Sequence, residues 1–237
     1  MTGRIVDQPL TVGPAGYLIV DSGLSPERLE EIRSAIAPTL REHTEKGGVR
    51  NVLDRVPSLG PLVTGHLRDF AVPTLGPAPF AVRVLLFDKT PTANWKVTWH
   101  QDVTVAVTEY RDAAGWGPWS RKDGVWHVRP PAAVLAGMLT VRLHLDHCGP
   151  DNGPVRVIPG THERGRMSDS EVEAAARARA PVDCLVPEGG VLIMRPLLLH
   201  CSAPAAAPSH RRVVHVEYAA TDLPDGFRWA ERDGIRG

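Results

Sequence analysis

Apolar positions along the chain follow two periods, and the change between them divides the sequence. Leu29, Ile32, Ile36 and Leu40 recur at helical spacing and predict one buried stripe. Ser25 ahead of Pro26 supplies a capping hydroxyl and a proline at the first helical position. Pro38 is expected to kink or shorten that helix. A second helix is predicted over about 61–75, with Leu62, His66, Leu67 and Phe70 on one side and His66 read as a helix-face residue. Gly16–Val20 is a short early strand, and from residue 80 short strands take over. Phe80–Asp88 is a strong strand interrupted by Arg83, Lys89–Asn94 is a turn, and Trp95–Val107 reads as a strand pair. Met138–Asp146 alternates cleanly: Leu139, Val141, Leu143 and Leu145 take one face, and Thr140, Arg142, His144 and Asp146 the other. That pattern predicts a half-buried strand. Val155–Ile158, Val191–Met194 and Val213–Tyr218 complete the strands. Ser168 or Asp169 opens a short Ala-rich helix that ends before Pro181.

Residues 108–131 break the pattern. The stretch is rich in Gly and Pro, and five of the six tryptophans fall between Trp95 and Trp126. A long segment without its own period predicts a functional loop, here a lid. Together these elements predict an all-β core with flanking helices, as one domain over 1–237, with the helical part at about 25–76 packed outside.

Composition narrows the function classes. Lys plus Arg and Asp plus Glu are 27 each, so net charge is zero and no basic stripe marks a nucleic-acid partner. No apolar run is long enough for a membrane span, and Met1–Gly13 carries no signal-peptide pattern. Three scattered cysteines, Cys148, Cys184 and Cys201, read as reduced thiols and predict a cytoplasmic protein. Oligomeric state leaves no mark in the sequence.

The candidate chemistry centres on Trp99-His100-Gln101-Asp102. On an extended strand His100 and Asp102 point the same way, offering an imidazole and a carboxylate to one point. Two His and one carboxylate on one face are what ferrous iron uses in oxygen-activating enzymes. His144-Leu145-Asp146 has the same form and is a rival pair. His200 followed by Ser202, Arg211 and Arg212 is the second informative block. It predicts a His and an Arg on neighbouring strands of one barrel, with a guanidinium fork suited to a dicarboxylate. Arg83 reads either as an edge residue or as an arginine pointing into a pocket.

Taken together, these motifs resemble the phytanoyl-CoA dioxygenase-like family of iron- and 2-oxoglutarate-dependent oxygenases. The likeness runs from Gly16-Tyr17 through His100-Gln101-Asp102, Leu145-Asp146 and Asn152-Gly153-Pro154…Pro159-Gly160-Thr161-His162 to His200-Cys201-Ser202 and Arg211. It implies a double-stranded β-helix, a jelly-roll, cupin-like barrel. It implies that His100, Asp102 and His200 bind Fe(II) and are catalytic. Arg211, preferred over Arg212, would grip the far carboxylate of 2-oxoglutarate with help from Ser202. Gln101 and Arg83 are further candidate co-substrate contacts, and Trp99, Trp116 and Trp119 candidate substrate-pocket residues. The rival pair and His162 fall where the family places no ligand. Dioxygen and a small apolar organic molecule are the implied substrates, and Asp102 favours hydroxylation or a similar oxidation over halogenation. The alternative is a jelly-roll protein that binds metal or ligand without turnover.

Overall fold

The computed structural model describes residues 10–42 and 48–236. Two antiparallel sheets form a sandwich. Strands β1 (Tyr17–Asp21), β2 (Phe80–Asp88), β3 (Val97–His100), β4 (Val105–Val107), β5 (Trp119–Lys122) and β6 (Val125–Val128) come from the first half. They are followed by β7 (Met138–His144), β8 (Val155–Val157), β9 (Val182–Cys184), β10 (Gly190–Met194), β11 (His200–Ser202) and β12 (Arg212–Ala219), with a last hairpin of β13 (Glu231–Arg232) and β14 (Ile235–Arg236). The larger sheet has the order β1-β10-β7-β12-β2 and the smaller β3-β11-β8-β9. The chain switches sheets from β2 to β3, β7 to β8, β9 to β10, β10 to β11 and β11 to β12, which is the double-stranded β-helix arrangement. Among the described residues no strand pairing joins the two sheets, so the expected barrel is an open sandwich.

Helix α1 (Pro26–Glu42) lays Leu29, Ile32 and Ile36 onto the outer face of the larger sheet, against Leu139, Val141, Leu143 and Val214. Ser25 Oγ accepts from the Arg28 amide at 3.2 Å and caps it. The helix runs through Pro38 instead of stopping there. Pro38 and Ser34, whose carbonyl Pro38 deprives of its donor, are both exposed, so the freed carbonyl faces solvent and is not buried unpaired. The predicted helix over 61–75 is broken. A π-turn at Leu62–His66, a 3-10 turn at Arg68–Phe70 and α3 (Val72–Leu75) follow α2 (Val52–Arg55) and a 3-10 turn at Pro57–Leu59. Pro73 lacks an amide donor, and its ring disfavours a continuous helix through the turn before it.

Residues 108–131 are not a structureless loop. β5 and β6 form a hairpin on Asp123-Gly124, both with positive φ (48° and 82°), and β4 completes a three-stranded sheet. An Asp-Gly pair between strands is a two-residue hairpin signal. Nor is β7 half-buried: every residue from Met138 to His144 is buried. Its apolar face meets the helices, and its polar face points between the sheets. Two short helices, α4 (Ala132–Ala136) and α5 (Asp169–Ala178), lie outside. Ser168 and Glu171 form the capping box of α5.

Candidate metal centre and co-substrate cavity

β3 and β11 are antiparallel neighbours, and their register sets His200 directly opposite His100. Their imidazole centroids lie 4.1 Å apart. The strand expected to carry Asp102 ends at His100; Asp102 stands in the loop beyond, its amide donating to Pro196 O at 2.9 Å. His100 Nε2 is 3.8 Å and His200 Nε2 3.7 Å from the Asp102 carboxylate. All three ligand atoms fall within 4.8 Å of one another, and among the described residues they form the one such cluster.

The donor set fits a divalent metal. His100 Nδ1 lies 2.9 Å from Thr98 O and His200 Nδ1 2.8 Å from Leu198 O. A carbonyl only accepts, so each Nδ1 carries the proton and each Nε2 presents its lone pair. Burial, then the neighbouring His100, pushes His200 down to about 4, so it is neutral and ready to ligate. Burial pushes Asp102 up, but the two imidazoles outweigh it and hold the carboxyl at about 2. One face of the triad is open: the His100 and Asp102 side chains are 36% and 27% exposed, against 8% for His200.

Behind the triad lies a cavity of about 150 Å³ between the sheets. Leu85, Phe87, Trp95, Val97 and Val155 line its apolar part, and Arg83, Arg142, His215, Ser202 and Arg211 its polar part. Arg211 is buried. It donates to Gly153 O and, at 3.3 Å, to Ser202 Oγ. Ser202 Oγ also donates to Gly153 O at 3.0 Å and accepts from Lys89 Nζ at 2.8 Å. Gly153 has a φ of 57°, and a Cβ there would sit 2.6 Å from Ala203 O. The turn Asn152-Gly153-Pro154 therefore requires glycine so that its carbonyl can reach the arginine. Arg211 makes the cavity cationic and suited to an anion, and Lys89 is buried behind Ser202, within electrostatic reach of Arg211. Burial first, then Arg211, depresses Lys89 to about 7.

His200 stands on β11 of the smaller sheet and Arg211 just ahead of β12 of the larger one, not on neighbouring strands, and Ser202 of β11 bonds Arg211 across the gap. Arg212 turns outward into a two-pronged pair with Asp146, 2.9 Å from Nε and 2.5 Å from Nη2. Asp146 is thereby engaged, and His144 is buried with no partner on either ring nitrogen among the described residues. Arg83 lines the cavity wall but is paired with Glu217. Gln101 gives its amide hydrogens to Gly165 O (2.9 Å) and Leu197 O (2.7 Å) and accepts from the Met167 amide (2.8 Å). It braces the loop between the ligands. Trp99 packs on the far side of β3, towards Ile158 and Leu199. Trp116 and Trp119 join an apolar cluster with Phe227, and Trp116 donates to Asp225 at 2.9 Å. None of these three lines the cavity; Trp95 does. Lys89, Trp95 and His215 belong to no motif that marked them as site residues in the sequence. The signal for His215 was its place on the polar side of an alternating strand.

A family model described as phytanoyl-CoA dioxygenase (PhyH) matches residues 14–213. No curated protein matches by sequence. Among solved structures, the non-heme alpha-ketoglutarate-dependent carbocyclase SnoK from nogalamycin biosynthesis aligns with a TM-score of 0.71 at 17% identity, over 92% of this chain and 85% of that one. AviO1 from Streptomyces viridochromogenes Tue57 aligns with a TM-score of 0.67 at 21% identity, over 91% and 95%. EctD from S. alaskensis with 2-oxoglutarate and 5-hydroxyectoine aligns with a TM-score of 0.66 at 18% identity, over 92% and 79%. At these identities the likeness is one of fold.

Proposed function

The chain belongs to the phytanoyl-CoA dioxygenase family, and we propose that it oxidises an unactivated C–H bond of a small, largely apolar organic molecule. The single observation that carries this reading is the convergence of His100, Asp102 and His200 beside a buried, cationic cavity. Iron held there would, with 2-oxoglutarate and dioxygen, supply the oxidising power, with succinate and carbon dioxide as the other products. SnoK and EctD point to the same chemistry, the one described as alpha-ketoglutarate-dependent and the other holding 2-oxoglutarate. In this reading the chain's own residues do four things. The triad would hold the iron, and the exposed side of His100 and Asp102 leaves room for substrate. The Thr98 and Leu198 carbonyls fix both imidazoles in the ligating tautomer. Arg211 would hold the far carboxylate of 2-oxoglutarate, aided by Ser202 when its hydroxyl turns from Gly153 O to the ligand, and Lys89 orients that hydroxyl. Leu85, Phe87 and Val97 keep the deep side dry, so a reactive centre is shielded from water.

The cavity is small against the roughly 300–1,000 Å³ of sites that enclose a drug-sized ligand. It suits the co-substrate, and the organic substrate sits at the open mouth above His100 and Asp102. Three cysteines without disulfides suit the reducing cytoplasm. Among the described residues no helix is long and apolar enough to cross a membrane.

The test is 2-oxoglutarate turnover by iron-loaded protein in air, read as succinate formed, first alone and then across panels of apolar small molecules. Wild type forms succinate and His200→Ala does not. Protein that binds iron and 2-oxoglutarate yet forms no succinate under any condition would be a binding protein and not an oxygenase.

A further inference from the structure

One charged side chain in the cavity is left over once the triad and Arg211 have their roles. Arg142, on β7, is buried and points between the sheets. Its Nη1 donates to His215 Nδ1 at 2.7 Å. An arginine only donates, so His215 accepts there, and its own proton sits on Nε2, 3.4 Å from Glu217. Arg142 thus meets a neutral ring and no carboxylate. The nearby carboxylate, Glu217, is taken by Arg83. Asp102 is directed at the two ligand histidines. The Arg142 Nε has no partner at all among the described residues. A guanidinium in the interior without an anion is expensive, and a site that keeps one is shaped for an anion that arrives with a ligand.

Where that anion binds follows from the register. Arg142 lies opposite His215 on β12, and its guanidinium rests over the Phe87 ring, 5.4 Å from the centroid. His215 is four residues beyond Arg211, roughly 13 Å of extended backbone. Bonded to His215, the Arg142 guanidinium is within electrostatic reach of both Asp102 and Arg211, so it stands between the triad and the Arg211 end of the cavity.

We propose that Arg142 is a second carboxylate anchor: it takes the 2-oxo acid end of the co-substrate beside the triad, while Arg211 takes the far end. This rests on the oxygenase reading above and adds a positioning residue to it. Two arginines would then fix both ends of one short dianion, selecting 2-oxo diacids of this length over longer or shorter ones.

The test uses binding without turnover. Protein loaded with Mn(II) in the absence of oxygen is titrated calorimetrically with 2-oxoglutarate and with 2-oxobutyrate, which keeps the 2-oxo acid head and lacks the far carboxylate. Arg142→Met is expected to weaken both ligands by a similar factor, about tenfold or more. Arg211→Met is expected to weaken 2-oxoglutarate alone. Arg142→Lys, which keeps the charge and loses the fork, falls between, and serves in place of the methionine variant should that one not fold. An Arg142 substitution that weakens 2-oxoglutarate but leaves 2-oxobutyrate unchanged would put the guanidinium on the far carboxylate and overturn the assignment. Unchanged affinity for both ligands would make the residue structural and overturn it as well. Wild-type protein that binds neither Mn(II) nor 2-oxoglutarate would instead strike at the oxygenase reading.

Discussion

The two faces of β7 are equally buried and do opposite work. Leu139, Val141, Leu143 and the following Leu145 are fully enclosed against α1 and the broken helical turns. Thr140, Arg142 and His144, one residue out of step, are enclosed between the sheets. The outer face is filled by its own protein, and burying it stabilises the fold. The inner face carries a guanidinium without a carboxylate and an imidazole without a hydrogen-bond partner among the described residues. That arrangement opposes folding unless a ligand completes it. Where a strand alternates and both sides are buried, the polar side marks the site.

The sharpest way to separate the faces is to shorten each. Leu143→Ala leaves a cavity in the outer core and should cost about 2–5 kcal/mol of unfolding free energy. It should leave 2-oxoglutarate affinity unchanged, as measured by urea unfolding and calorimetry on the same protein. Arg142→Met removes an unanswered charge from the inner face, and metal-free protein should become no less stable, gaining up to about 4 kcal/mol. Equal losses from both would erase the distinction.

That distinction also separates what was legible in the sequence from what was not. The outer face was read in advance, because helical and alternating periods record which residues meet a core. Leu29, Ile32 and Ile36 and the odd-numbered residues of β7 stand as their spacing predicts. The inner face was misassigned to solvent, because period two says that sides differ and not what covers the polar one. His100, Asp102 and His200 were nameable from motif, but their meeting depends on a sheet register that pairs residues a hundred positions apart. The tryptophans misled. Gly- and Pro-rich sequence between residues 108 and 131 hid a hairpin whose Asp123-Gly124 turn was in plain view.

A smaller effect is expected at the far end of the cavity. Arg211→Met should raise the Kd for 2-oxoglutarate about 10- to 100-fold, the worth of charge-assisted hydrogen bonds near 1.5–3 kcal/mol. Arg212→Met, whose outward side chain pairs with Asp146, should leave it within about twofold. Equal effects would mean that the register of β12 is slipped by one residue.

The smallest effect is one of pH. Lys89 is held at about 7 by burial and by Arg211, against 10.5 for the free side chain. Between about pH 7 and 10.5 the unfolded chain therefore holds a proton that the folded chain has lost, and stability gains from this group as pH rises through that window. Below pH 7 both states are protonated and the full cost of the buried charge remains. Urea midpoints of metal-free protein near pH 7 and pH 9.5 should differ in this sense for wild type, and less so for Lys89→Met. 2-Oxoglutarate, by supplying the anion, should also reduce the difference.

One metal ion per chain is expected among His100, Asp102 and His200. Anaerobic Fe(II) titration, with bound metal counted per chain, tests this most directly across His100→Ala, Asp102→Ala, His200→Ala and His144→Ala. Wild type and His144→Ala should each bind one ion, and each triad variant should lose tight binding. Full binding by His100→Ala together with its loss in His144→Ala would contradict the account.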